Sequence, residues 1–194
     1  MAATLYEYYN TDPDLGPGDD IRYSRPKGQT FTSATLFNIT SVKLVLTRSV
    51  ANDPGTVTVA IYATSGGLPV GEALISGTTN GSTLTTDNAG EWREITFDHD
   101  RVLTADVMYA IVVKVAFGTV DSSLYWKVDG LGSTYPNGTR VYSSDMGGTW
   151  NYHDGSDFMF ECWGDVPVFA APSERTTIKT LVVFANDKVW YEDA

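Results

Sequence analysis

Two segments of the sequence combine flat aromatic side chains with amides and carboxylates. They read YWKVDGLGSTYPNG and GGTWNYHDGSD, and both are rich in glycine. Sugar rings stack on aromatic faces, and sugar hydroxyls bond to planar amide and carboxylate groups. The two segments therefore predict a carbohydrate-binding site. The residues assigned to this site are Tyr125, Tyr135, Asn137, Trp150, Tyr152 and His153.

Some of these aromatic residues have a second interpretation. By alternation Trp126 faces the core together with Leu124, which leaves Tyr125 and Lys127 pointing outward. Trp150 equally suits a plug at the end of a β core, since large aromatic residues often close one. Exposed aromatic residues also form protein interfaces. The aromatic loops thus predict a binding surface for either a sugar or a protein.

Acidic residues in the last of these loops suggest a cation site. Carboxylates and backbone carbonyls are the ligands that Ca²⁺ takes, and acidic loops supply them without a strict spacing. The candidate ligands Asp145, Asp154 and Asp157 flank glycine-rich turns. The alternative is that these carboxylates are simply solvated. No cofactor other than calcium is predicted.

The sequence contains no recognisable catalytic constellation. Its two histidines are His99 and His153, too few for a metal site built on several imidazoles. No G-x-S-x-G elbow, glycine-rich phosphate loop or C-x-x-C pair occurs. A pair of carboxylates acting on a sugar is the remaining enzymatic route, but 24 acidic residues select no particular pair. We expect a protein that is not an enzyme.

Charge, cysteine usage and hydropathy bear on the partners. The formal net charge of −11 repels nucleic-acid phosphates and anionic membranes, so neither is an expected partner. The single cysteine, Cys162, alternates with Phe158 and Phe160 and is predicted to be a buried, inert thiol. The first residues lack the pattern of a secretory signal, and no apolar run is long enough to span a bilayer. We expect a protein made in the cytoplasm.

The elements that position these loops are predicted to be strands. In SVKLVLTR and GTVTVAIYAT, apolar residues recur at every second position, and segments of this kind continue to DFMFECWG. The gaps between them, such as NDPG, TNGS and DNAG, have the composition of turns. This spacing predicts an all-β fold over residues 28–164, an antiparallel β-sandwich or jelly roll.

The two ends of the chain fall outside this rhythm. Residues 1–27 are acidic and rich in Tyr and Pro, and they predict an extended N-terminal arm. Residues 165–194 read as a linker and a hairpin that turns at Asn186-Asp187. A lone hairpin is marginal in water, so we expect this one to dock on the sandwich or on a neighbouring subunit. The expected assembly residues are Val182, Phe184, Val189, Trp190 and Tyr191.

The central blocks resemble a known kind of module. In order they read QTFT, ITSVKLVLTR, GTVTVAIYATSGGLPVGEALISGTT, AGEWREITFD, MYAIVVKV, SLYWKVDG and YSSDMGGTWNYHDGSDFMFECWG. From about Gly28 to Gly164 this order is similar to a β-sandwich module of bacterial secreted proteins and tailed-phage structural proteins, often likened to carbohydrate-binding jelly rolls. The terminal LVVFANDKVWYED is similar to strand pairs in phage structural proteins. Such modules serve as binding domains, spacers and virion components, so the resemblance implies no single activity.

The resemblance, the two arms and the missing signal together predict a virion protein. It would be a capsid decoration, tail or fibre subunit of a tailed phage that forms homo-oligomers, joins other virion proteins and contacts surface glycans. The alternative is a carbohydrate-binding or adhesive module of an extracellular or cell-surface bacterial protein. A third class, a glycan-degrading enzyme, has no sequence feature of its own.

Overall fold

The computed structural model describes residues 3–11, 13–14, 16, 18–50, 53–116, 124–130 and 132–168, together with the backbone of 182–183 and 189–190. The described residues form strands and one 3₁₀ turn, Gly81–Thr83, with no α-helix among them. No helix in these ranges is long and apolar enough to cross a membrane. The strands are β1 (Thr4–Tyr9), β2 (Asp19–Ile21), β3 (Lys27–Thr32), β4 (Phe37–Arg48), β5 (Thr56–Ser65), β6 (Leu68–Asn80), β7 (Glu91–Leu103), β8 (Met108–Val115), β9 (Leu124–Trp126), β10 (Val128–Asp129), β11 (Arg140–Tyr142), β12 (Asn151–His153), β13 (Asp157–Phe158), β14 (Phe160–Asp165), β15 (Val182–Val183) and β16 (Val189–Trp190).

The strands form two large antiparallel sheets. Sheet 1 has the order β1-β14-β4-β9-β2, and β7 pairs with the opposite edge of β4. Sheet 2 has the order β12-β11-β3-β8-β5-β6. β10 and β13 form a short pair of their own. The fold is therefore an antiparallel β-sandwich, as the alternating sequence predicts, while the finer jelly-roll topology stays a prediction.

The core fills the space between the two sheets with the alternate side chains of their strands. Val42, Leu44 and Leu46 of β4 are fully buried, as are Val59 and Ile61 of β5. This arrangement follows from the pleat, which directs every second side chain of a strand to the same face.

Trp126 lies at the centre of this core, as predicted. Its ring stacks on Phe158 with centroids 4.2 Å apart, and its indole N–H donates to the Met159 carbonyl at 2.8 Å. Cys162 is also fully buried, as predicted, while its inertness stays a prediction. The sequence therefore predicts the burial of these two residues correctly.

The two sheets approach each other along β6 and β7. A Cβ atom at Gly77 of β6 would collide with the backbone carbonyl of Thr96 in β7. The hydroxyl of Ser76 donates to the Asp98 carboxylate across the same edge at 3.4 Å. Glycine is needed at position 77 because the two backbones come too close for any side chain.

The N-terminal segment differs from the predicted extended arm. Tyr9 pairs with Phe160 as part of an antiparallel ladder between β1 and β14, so β1 is an edge strand of sheet 1. β2 pairs with β9, and its Ile21 side chain is fully buried. Residues 4–9 and 19–21 are thus part of the sandwich, because their apolar side chains complete its core.

The C-terminal segment contains the predicted strand pair. β15 and β16 are antiparallel, with Val182 opposite Trp190 and Val183 opposite Val189. Among the residues whose backbone is described, these two strands pair with no other strand. The predicted turn at Asn186-Asp187 and the assembly residues Phe184 and Tyr191 lie outside the described residues, as do the side chains of Val182, Val189 and Trp190.

Candidate functional site

A groove of about 400 Å³ opens on the outer face of sheet 2, the face that points away from sheet 1. Phe31 of β3 points into the core, so its neighbours Thr30 and Thr32 point to the outer face. They line the groove together with Met108 of the adjacent β8. The rest of the lining comes from three elements. The β5–β6 turn contributes Gly67, β12 contributes Tyr152, and the loop before β11 contributes Pro136, Asn137, Gly138 and Thr139.

Tyr152 forms one wall of this groove. Its side chain is 46% exposed, and its hydroxyl donates to the backbone carbonyl of Gly66 in the β5–β6 turn. The next residue, Gly67, has a φ of +77°, and a Cβ there would lie 3.2 Å from the tyrosine oxygen. The turn thus brings backbone against the ring edge, and this contact fixes the ring at the groove.

The polar groups of the groove divide into structural and available ones. The Thr30 hydroxyl donates to the Thr139 carbonyl at 3.0 Å and accepts from the Thr139 N–H at 2.7 Å. This hydroxyl therefore holds the loop in place. The Asn137 side chain hydrogen-bonds to Glu7 but Asn137 is exposed, and Thr32 is half-buried. With Tyr152 they offer an aromatic ring, an amide and a hydroxyl, the combination that recognises a sugar.

A second depression, of about 450 Å³, lies on the same face of sheet 2. Its lining includes Lys114 of β8, Tyr62 of β5 and the half-buried Trp150. The β5–β6 hairpin contributes to both depressions, through Gly67 in the first and Pro69 in the second, and Trp150 of the second is two residues before Tyr152 of the first. The two depressions are therefore neighbours on one surface.

The structure brings together only part of the predicted carbohydrate site. Asn137 and Tyr152 share the first groove, and Trp150 lines the second depression. His153 is exposed on β12, where its Nδ1 lies 3.0 Å from the Ser156 hydroxyl. Tyr125 is in β9 of sheet 1, on the other side of the sandwich from these residues.

Tyr135 is a correction to the predicted site, because it is buried, with 8% of its surface exposed. Its ring meets the edge of Phe160 with centroids 5.3 Å apart, and its hydroxyl donates to Glu7 Oε1 at 2.9 Å. Burial, followed by the nearby Glu7 charge, raises the pKa of Tyr135. Burial also raises the pKa of Glu7, although hydrogen bonds from Tyr135 and Asn137 oppose this rise. Tyr135 is therefore a core residue that anchors β1.

The three carboxylates predicted to bind calcium have separate roles. Asp145 Oδ1 accepts from the Ser143 hydroxyl and the Thr149 N–H, both at 2.7 Å, and these bonds lower the pKa of Asp145 to about 2. Asp154 is exposed on the turn after β12. In the described ranges no group of three or more His, Cys, Asp or Glu side chains is arranged to hold a metal ion.

Asp157, the third predicted ligand, belongs to a polar layer inside the sandwich. Its carboxylate accepts from Gln29 Nε2 at 2.7 Å and from the Ser133 hydroxyl. Burial raises the pKa of Asp157, with a smaller contribution from the nearby Asp129 charge. Its oxygens are engaged by protein donors, so Asp157 is not available for the predicted calcium site.

The same layer contains an ion-pair cluster that the sequence did not suggest. Asp19 Oδ2 lies 2.7 Å from Lys27 Nζ and 2.9 Å from an Arg140 nitrogen. The Arg140 guanidinium also lies over the Phe158 ring, 5.2 Å from its centroid. The cluster joins β2 of sheet 1 to β3 and β11 of sheet 2, so it ties the N-terminal segment to both sheets.

The residues that line the two depressions and escaped the sequence analysis include Thr30, Thr32, Met108 and Lys114. Each occupies an outward position in a strand, and the alternation of QTFT and MYAIVVKV marks these positions as outward. Alternation does not tell which outward positions of different strands become neighbours. That information is in the pairing of β3 with β8 and of β8 with β5.

No protein-family model matches this chain, and no curated protein matches it at a significant level. The fold therefore rests on the structure, and the function must be argued from the surfaces described above.

Proposed function

We propose that this protein is a non-enzymatic structural protein of a tailed-phage virion, a capsid decoration, tail or fibre subunit. Its β-sandwich is displayed on the surface, and its C-terminal segment joins it to another copy or to a neighbouring virion protein. The proposal assigns the attachment to the C-terminal segment, because β1 and β2 are built into the sandwich.

The observation that carries this proposal is the β15–β16 pair. It follows the last strand of the sandwich, and within the described part of the chain it pairs with no strand of either sheet. An isolated two-stranded hairpin is marginally stable in water, so it requires a further surface. β-strand addition provides such a surface: a strand of the hairpin pairs with an exposed sheet edge of another subunit. Main-chain hydrogen bonds then supply affinity, and side-chain pockets supply register.

The test is the mass of the purified chain by light scattering. We compare the full chain with a version that ends at residue 168 and with the full chain carrying Trp190→Ala. The proposal expects a defined oligomer for the full chain, a monomer for the shortened chain and weakened assembly for Trp190→Ala. Trp92→Ala is the matched control, because this 44% exposed tryptophan lies on sheet 1.

The outcome that contradicts this proposal is a full chain that stays monomeric at every concentration and has the same mass as the shortened chain. A loss of assembly in Trp92→Ala equal to that in Trp190→Ala would also count against the hairpin. Circular dichroism of each variant checks that the sandwich is folded.

The first groove favours a second candidate function, the binding of carbohydrate. The supporting observation is the placement of the Tyr152 ring beside the Asn137 amide and the Thr32 hydroxyl in one concave surface. This function is compatible with a virion protein that contacts surface glycans, and equally with an adhesive module of a secreted bacterial protein. A glycan array tests it with the full chain, with Tyr152→Ala, and with Tyr8→Ala, an exposed tyrosine of sheet 1, as the control.

A further inference from the structure

The second depression on sheet 2 is lined by a positively charged side chain, Lys114. Val113 and Val115 of β8 are buried in the core, so Lys114 points to the outer face and lines the depression. The Lys114 ammonium lies 3.3 Å from the Tyr62 hydroxyl and 5.3 Å from the centroid of the same ring. Its position is thus defined by an aromatic contact and a hydrogen bond.

Gly147 brings the lysine close to a second aromatic ring. A Cβ at Gly147 would lie 3.5 Å from Lys114 Nζ and 3.7 Å from Trp150 Cζ2. The φ of Gly147 is +96°, a conformation that favours glycine. The ammonium and the Trp150 ring therefore both border the space that a side chain at position 147 would fill.

No acidic side chain in the described ranges lies within ion-pair distance of the Lys114 ammonium. Lys27, in contrast, contacts Asp19 at 2.7 Å. Lys114 is thus a half-buried cation without a carboxylate within ion-pair distance among the described residues, in a protein with a net charge of −11. Glu72 also lines the depression, but it is an exposed residue of β6.

We propose that this depression binds a sugar that carries a carboxylate, a uronic or sialic acid. The sugar carboxylate accepts hydrogen bonds from Lys114, and the sugar ring packs against Trp150. The Glu72 carboxylate accepts from a sugar hydroxyl at the rim. An ionised acceptor makes a stronger hydrogen bond than a neutral one, so the acidic sugar is preferred over its neutral form. This inference rests on the carbohydrate-binding function proposed above and adds the second depression, with its own ligand class, to the neighbouring first groove.

The experiment uses the full-length chain on an array that pairs each uronic-acid and sialic-acid glycan with its methyl ester. Calorimetry then gives the affinities for the best pair. The esters keep the ring and its hydroxyls but lack the charge. We expect the wild type to bind the acid about tenfold more tightly than the ester, the size of one charge-assisted hydrogen bond. In Lys114→Gln the two affinities become equal, and the affinity for the ester stays unchanged.

Two further variants complete the test. Lys114→Arg keeps the charge and retains a preference for the acid. Lys43→Gln is the matched control, because Lys43 also lies over an aromatic ring, 4.3 Å from the centroid of Trp163, but in sheet 1. Equal binding of acids and esters by the wild type would overturn this inference and leave carbohydrate binding standing. Binding of no glycan at all would overturn both.

Discussion

Tyr9 offers a direct test of whether the N-terminal segment is part of the sandwich. Only 7% of its surface is exposed, and its hydroxyl donates to Asp129 Oδ2 at 2.6 Å. The same hydroxyl accepts from the Thr134 N–H at 3.3 Å. Tyr9→Phe removes this hydroxyl and keeps the ring. If residues 1–27 formed a separate arm, the substitution would not affect the stability of the fold.

The expected loss follows from the type of bond. A hydrogen bond to a charged group contributes about 1.5 to 3 kcal/mol, so we expect Tyr9→Phe to lower the free energy of unfolding by about 2 kcal/mol. Taking an m value of about 2 kcal/mol per molar of urea, the unfolding midpoint falls by about 1 M. Buried Trp126 gives a fluorescence signal with which to follow the transition.

The neighbouring residue supplies the matched control. Tyr8 is 52% exposed, so Tyr8→Phe should change the free energy of unfolding by less than about 0.5 kcal/mol. The wild type and both variants are compared in urea at one pH. Equal midpoints for Tyr9→Phe and Tyr8→Phe would refute the placement of β1 in sheet 1.

Two further predictions concern buried ionisable groups. Because burial raises the pKa of Asp157 above its ordinary value of 3.8, the folded protein binds this proton more tightly than the unfolded chain does. The free energy of unfolding should therefore decrease as the pH rises from the ordinary pKa through the raised pKa of the folded protein. Asp157→Asn should remove this decrease, which urea titrations at several pH values measure. The same pH profile in the variant and the wild type would contradict this prediction. Burial also raises the pKa of the Cys162 thiol, so a water-soluble thiol reagent should label it only after urea is added, and rapid labelling of the native protein would contradict its burial.

The strands of the sandwich could be predicted from the sequence because their period is local. From Val42 to Leu46 of β4, and in β5 and β8, buried apolar residues recur at every second position, so the buried face is visible in the sequence. β1 hides this pattern. Its pairing with β14 shifts register between Leu5 and Glu7, and a bulge of this kind breaks the alternation of side chains. Tyr6, which stacks on Phe37, and Tyr9 therefore both face the core. In a regular strand, two residues three positions apart would point to opposite faces.

The residues of the candidate groove were predicted only in part, because local sequence does not distinguish a buried tyrosine from an exposed one. Tyr135 and Tyr152 both lie in glycine-rich segments of the sequence that contain an asparagine within two positions. Tyr135 is buried because its hydroxyl meets Glu7, a residue 128 positions earlier in the chain. Tyr152 stays 46% exposed because its partner is the carbonyl of Gly66, on the surface turn between β5 and β6.

Lys127, which was predicted to point outward, is also buried through a contact with a residue that is distant in the sequence. It is only 3% exposed, and its ammonium donates to the carbonyls of Gly16 and Asn88. Burial lowers the pKa of Lys127, and the charge of Asp14 opposes this. The predictions that Tyr135 and Lys127 are exposed and that the N-terminal segment is a separate arm are thus wrong for one reason. Each depends on a contact with the first 21 residues, whose ladder partners lie more than a hundred positions away. A strand that is inserted over such a distance leaves no local signal, so one misplaced segment produces all three errors.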